Sequence, residues 1–156
     1  MQKTTMHYIL TFILGLVILS CKEQNSFIDK RVETTKSILI SLKENQPNKI
    51  LDYTYAGANN IDDKEIREHL VRRMSALINK YGIPDTSKWV IKHNPNNNFE
   101  RLVISIPLFI EYDSTFNLEN GGISVTYPPQ EISDKMTTLE ITGKSRVIPT
   151  IPIPMN

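Results

Sequence analysis

The hydrophobic period of the chain changes once, at Pro84. Before it, Ile28, Val32, Thr35, Leu39 and Leu42 fall on one helical stripe with Ile38 beside it, and Ile66, Leu70, Met74, Leu77, Ile78 and Tyr81 form a second. After it, Leu102, Ile104, Ile106, Leu108, Ile110 and Tyr112 share one parity, with Val103, Ser105, Pro107, Phe109 and Glu111 on the other. A 3.6-residue period aims one stripe of a helix at a core, whereas a period of two aims one face of a strand there. Helices followed by strands predict an α+β domain, about three N-terminal helices packed on a four-stranded antiparallel meander sheet.

Local signals set the expected boundaries. The first helix runs from Ser26, a candidate N-cap, to Leu42, with Asp29 near the positive helix end and Asn45-Gln46-Pro47-Asn48 as its breaker. A short helix covers Asn48 to Tyr55. The third helix is capped by Asp62 with Glu65 three residues on, carries a Glu68–Arg72 pair, and stops at Gly82. Trp89 to His93 is a short strand whose Trp89 belongs to the core, and Asn94 to Asn98 is a turn. Pro107 implies a bulge or an edge in the next strand. Asn120-Gly121 predicts a two-residue hairpin with Gly121 at positive φ, pairing Leu118 with Ile123 and Phe116 with Val125. The last strand runs near Thr137 to Ile148, with Leu139 and Ile141 inward and Gly143 a bulge.

The two ends read differently from the domain at 27–148. Lys3 precedes an uncharged apolar run, Tyr8 to Leu19, which is the layout of a secretory signal peptide and is too short to span a bilayer. Ile18-Leu19-Ser20-Cys21 resembles the lipobox of bacterial lipoproteins, and Cys21 is the only cysteine in the chain. That resemblance implies cleavage between Ser20 and Cys21 and acylation of Cys21, with membrane lipid as the partner of the acylated residue. Residues 1–20 are then the signal, and 21–26 a polar tether. Lys22-Glu23 resembles the lysine-plus-acid export signals of surface lipoproteins, but the favoured reading is a solvated linker. The expected location is the bacterial cell envelope, at the outer membrane, with the face left open. At the other end, residues 149–156 carry prolines at 149, 152 and 154 with Ile151 and Ile153 between them. That spacing predicts an extended, polyproline-like tail, docked on its own domain or offered to a partner, with docking favoured.

Composition narrows the chemistry. Lys and Arg number 18 against 17 Asp and Glu, which gives no basic excess for a nucleic-acid partner. Three histidines and one cysteine lack the His-x-x-x-His or Cys-x-x-Cys spacing of a transition-metal site, so no metal and no cofactor are expected. His69, off the apolar stripe, reads as a boundary residue, and Arg72-Arg73 as a solvated helix face. The chain has no Gly-x-Ser-x-Gly elbow and no phosphate loop.

The element order resembles the cone-shaped folds of ketosteroid-isomerase-like and nuclear-transport-factor-like domains, and equally a cystatin-like sheet wrapped on helices. The first resemblance implies a pocket near Asp52, Tyr53 and Tyr112, with a carboxylate base and phenolic donors. Such tyrosines also serve as half-buried staples whose hydroxyls reach water. The sequence reading is therefore a lipid-anchored binding or assembly module of an envelope protein partner; the alternatives are a cone-fold enzyme or carrier using Asp52, Tyr53 and Tyr112, and an immunity-type periplasmic inhibitor. An enclosed cavity favours the enzyme or carrier, while a filled core with an open strand edge favours the binding module.

Overall fold

The computed structural model describes residues 26–56, 61, 63–94, 96, 102–129 and 131–145. The expected signal segment, Ser20, Cys21, the rest of the tether before Ser26, Asp62 and the tail at 149–156 lie outside the described residues.

Three helices precede a four-stranded antiparallel sheet, as the change of period implies. Helix α1 covers residues 26–43, α2 is Pro47–Ile50 with a 3-10 turn Leu51–Tyr53 behind it, and α3 is Lys64–Tyr81. Strands β1 (Val90–His93), β2 (Leu102–Pro107), β3 (Leu118–Tyr127) and β4 (Thr138–Ser145) lie in chain order across the sheet, so β1 and β4 are its edges.

Residue 26 is already helical, so Ser26 is an ordinary helical residue rather than the cap of α1. At the other end Asn45 adopts φ 54, with its N–H donating to the Leu42 carbonyl and that of Gln46 to Ser41. This is a Schellman closure with asparagine in the left-handed position. The predicted stripe is buried from Thr35 onward, with Ile38, Leu39 and Leu42 each at 0% exposure. Full burial of such side chains stabilises by about 1.5–3 kcal/mol each. Tyr127 of β3 pins the helix: its hydroxyl lies 2.8 Å from Thr35 Oγ1 and donates to the Arg31 carbonyl at 3.3 Å. Burial pushes the Tyr127 phenol up to about 12.

Helix α3 corrects the sequence reading by one residue. Its cap is Asp63, whose Oδ1 accepts from the Ile66 N–H at 3.0 Å. The buried face runs through Arg67, Val71, Met74, Ser75, Leu77 and Ile78, while Ile66 is 48% exposed. Arg67 reaches this face because its Nη1 donates to the Ile61 carbonyl at 2.7 Å, which gives the head an acceptor while the stem packs. Glu68 contacts Lys64, at 3.9 Å, in place of the expected Arg72. Gly82 closes the helix, donating to the Ile78 carbonyl.

The sheet corrects the hairpin. Asn120-Gly121 does not turn the chain; β3 runs straight through it. The reversal between β2 and β3 is at 114–117, closed by reciprocal backbone bonds between Asp113 and Leu118. Leu118 therefore pairs with Ser145 of β4, and Ile123 with Ile106 of β2 and Ile141 of β4. The left-handed residue is Asn120, at φ 53, rather than Gly121. The β3–β4 register slips between Glu119 and Gly122, so Asn120 and Gly121 oppose the single residue Gly143, which sits at φ 145. That is a β-bulge, and the left-handed tendency of Asn serves it as readily as a turn. A second irregularity faces it, where the N–H groups of Leu108 and Phe109 both donate to the Gly121 carbonyl. The disturbance expected at Pro107 is therefore present, and beyond it the shared parity fails: Ile110 is 78% exposed.

The core lies between the helices and the sheet face that carries Leu102, Ile104, Ile106, Ile123, Val125 and Leu139. Trp89 joins it, with Nε1 donating to the Pro84 carbonyl at 3.1 Å.

Candidate functional site

The three residues singled out for a pocket do not converge. Asp52 is exposed on the 3-10 turn, and Tyr53 is half-buried against the core. The Tyr53 carbonyl accepts from Met136, two residues before β4 begins. Tyr112 donates to Asn117 Oδ1 at 2.8 Å, and Asn117 donates in turn to Ser145 Oγ, at the last residue of β4. Tyr53 and Tyr112 are thus tied to opposite ends of an eight-residue strand, which at about 3.3 Å per residue separates them by roughly 25 Å.

Two clusters of buried polar groups were not legible in the sequence. Asp113, with a side chain 3% exposed, accepts from Lys80 Nζ at 2.7 Å, from the Tyr81 hydroxyl, and from the Thr115 N–H at 2.8 Å. The Lys80 and Tyr81 hydrogen bonds hold its carboxyl well below the usual carboxylate range, and the same bonds raise the pKa of both donors. A carboxylate so strongly stabilised in its ionised form is a poor proton acceptor at neutral pH. Its partners span α3 and the β2–β3 turn, so its work is to fasten that turn to the helix. The second cluster centres on Arg31, 1% exposed, whose guanidinium lies 4.4 Å from the Phe27 ring centroid and 4.7 Å from that of Tyr127. Its Nη2 donates to the Ser133 carbonyl at 2.7 Å, and desolvation lowers its pKa against the pull of Asp134. This clamp holds the 131–137 connection onto α1, aided by the Lys30–Asp134 ion pair.

The surface carries open grooves. One, of about 340 Å³, lies between α1 and the connection after α3 and is lined by Lys36, Ile40, Ile83, Pro84, Asp85, Thr86 and Trp89. A larger one, of about 730 Å³, separates α3 from β4. Ile61, Ile66 and Leu70 give it an apolar wall, Glu65, His69 and Arg73 a polar rim, and Thr138, Leu139, Glu140 and Ile141 the opposite side. Residues of both faces of β4 line it, which places the groove along the edge of the strand rather than over one face. That edge carries a row of unpaired backbone groups, since β4 has no neighbour beyond it among the described strands. Only its approach is covered, where residues 53–55 bond to Met136. An apolar wall beside an open edge can accept an extended segment through main-chain hydrogen bonds, with pockets for alternate side chains.

No protein-family model, curated protein or solved structure matches the chain. Among the described residues no group of three or more His, Cys, Asp or Glu could hold a metal ion. No helix among them is long and apolar enough to cross a membrane.

Proposed function

We propose that the chain is a lipid-anchored envelope lipoprotein whose α+β domain is a binding module, receiving an extended apolar segment along the edge of β4. The observation that carries this reading is the open groove of about 730 Å³ between α3 and that edge. The anchor rests on Cys21 and the lipobox-like residues before it. Two or three acyl chains, at about 0.8 kcal/mol per buried CH₂, hold a chain stably where one does not. Loss of Lys3 with the signal leaves 17 basic and 17 acidic side chains, so the domain has no electrostatic pull toward anionic lipid and its groove stays free to face a partner.

Anchor and groove are tested separately. Cys21→Ala is expected to abolish incorporation of a palmitate analogue and to leave unprocessed precursor; persistent labelling overturns the lipoprotein assignment. For the groove, a photo-crosslinking side chain at the exposed His69 is expected to capture a discrete partner in intact envelopes. Ile66→Asp in the same chain should reduce that adduct about tenfold, because it places a charge in the apolar wall without disturbing the core. Capture that is indifferent to Ile66→Asp argues against the groove as the binding surface.

A further inference from the structure

The edge of β4 and the helix beside it carry charge in the same order. Lys80 and Tyr81, at the end of α3, bond Asp113; Asp113 pairs with Leu118, and Leu118 with Ser145 at the end of β4. α3 and β4 therefore run in the same sense along the groove. Glu65 and Glu140 stand toward the end where both elements begin, Arg73 and Lys144 toward the other, and all four are exposed. The eight helical residues from Glu65 to Arg73 cover about 12 Å at roughly 1.5 Å each, and the four strand residues from Glu140 to Lys144 about 13 Å at roughly 3.3 Å each. Among the described residues none of these four groups forms an ion pair within the chain.

An edge that is acidic at one end and basic at the other is complementary to itself once reversed, which is what a two-fold axis does. With a second β4 laid antiparallel and Thr142 opposite its own counterpart, Glu140 of each copy meets Lys144 of the other, and Leu139 and Ile141 oppose Ser145 and Gly143. The same axis reverses α3 and turns Glu65 of one copy toward Arg73 of the other, across the exposed Ile66 and the half-buried Leu70. Leu139 and Ile141 face the core, so Glu140, Thr142 and Lys144 lie on the opposite face of the strand. Ion pairs exposed there fix register and orientation, while main-chain hydrogen bonds and the apolar wall supply affinity. The paired stretch 139–145 is clear of residues 53–55, whose bonds to this part of the chain are made at Met136. β1, the other edge, carries Lys92 as its one Asp, Glu, Lys or Arg and offers no such match. The axis is normal to the sheet, so α1 begins on the same side of the joined sheet in both copies, as two anchors in one membrane require.

Resting on the reading of the groove as an edge that receives an extended segment, we infer that this segment is β4 of a second copy of the chain, which joins two four-stranded sheets into one across a two-fold axis at Thr142.

The test is self-association of the full chain in density-matched detergent, measured by sedimentation equilibrium. The unaltered chain is expected to dimerise. Glu140→Lys and Lys144→Glu should each weaken the dimer at least about tenfold, because each sets two pairs of like charges against one another. The double variant Glu140→Lys/Lys144→Glu should restore the dimer, as should a mixture of the two single variants, a rescue that a merely misfolded variant does not give. Thr142→Cys, opposite itself on the axis, should form a disulfide-linked dimer in intact envelopes, whereas Glu140→Cys, about 13 Å from its counterpart, should not. Dimerisation that is indifferent to the single reversals, or that the double variant fails to restore, overturns the inference. A monomeric chain overturns it too, and the crosslink at His69 then separates the two readings. Capture of a different protein that depends on Ile66 keeps the groove as a binding surface, whereas capture indifferent to Ile66→Asp removes the groove as well.

Discussion

Gly122→Val is expected to lower the melting temperature by roughly 10 °C or more, at a cost of at least about 3 kcal/mol, the upper end of the overpacking range. A Cβ on Gly122 would lie 2.5 Å from the Ile106 carbonyl oxygen and 3.3 Å from Pro107 Cα. Both are backbone atoms of the paired strand, and neither can step aside without opening the ladder at the Pro107–Gly122 pair. Gly121 provides the comparison. A Cβ there would lie 2.0 Å from Phe109 Cζ, the far end of a side chain that stacks on Tyr81 with centroids 4.5 Å apart. The ring can rotate away at the loss of that stack, so Gly121→Val should cost less than Gly122→Val. Thermal melts of the two variants check the order, and a Gly122→Val melt equal to that of the unaltered chain refutes the close approach of β2 and β3.

These adjacent glycines show what sequence can and cannot convey. Asn120-Gly121 signals a left-handed residue beside a small one, and the chain uses both properties, but in a bulge within β3. Turn and bulge ask for the same local chemistry, and what separates them is the tertiary pairing of β3 with β4, which no short-range pattern contains. The change of period at Pro84 escapes this ambiguity because it is sustained over many residues, so three helices, four strands, the inward Leu139 and the core Trp89 were all legible. Met74, Leu77 and Ile78 are buried as the stripe predicts, and only the first two turns of α3 are displaced by one residue, Arg67 replacing Ile66 and Val71 replacing Leu70, because the stripe counts Arg67 as polar and Ile66 as apolar. Arg67 is buried because the Ile61 carbonyl meets its guanidinium, a contact across the loop before the helix. Nothing in the spacing of Ile66 announced its exposure, and it is that exposure which gives the groove its apolar wall. The candidate site was invisible for the same reason: it consists of a strand edge, and edges are set by sheet order rather than by residue type.

Asp113 makes the stability of the domain depend on acid in a way a single substitution can isolate. Its carboxyl is held well below the usual range by Lys80 and Tyr81, so the folded state binds its proton less readily than the unfolded chain does. A carboxylate of this kind contributes stability that is complete above the ordinary value near pH ~4 and is lost progressively as pH falls toward the folded value. Lys80 and Tyr81 act at the opposite limit: both are raised by the same carboxylate, so their contribution is complete below about pH 10 and is lost as pH rises through their folded values. Melting temperature should therefore be level between about pH 4.5 and 9.5 as far as this cluster is concerned, and fall on both sides. Asp113→Asn keeps one acceptor oxygen, enough for the Thr115 N–H that Oδ1 now receives but not also for the Lys80 and Tyr81 donors on Oδ2, and gives up the charge that Lys80 meets. Its melting temperature should lie several degrees below that of the unaltered chain at pH 7, and the two should draw together as pH falls from ~4 toward ~2, where the unfolded chain takes up a proton at Asp113 that the folded state still resists. Lys80 is 46% exposed, so added salt should narrow the gap at pH 7 without closing it, because the hydrogen bonds to a nearly buried carboxylate are screened far less than the charge pair. A gap that is constant from pH 7 to pH 2 would mean that the variant perturbs packing rather than charge, and would remove Asp113 as the group that fastens the β2–β3 turn to α3.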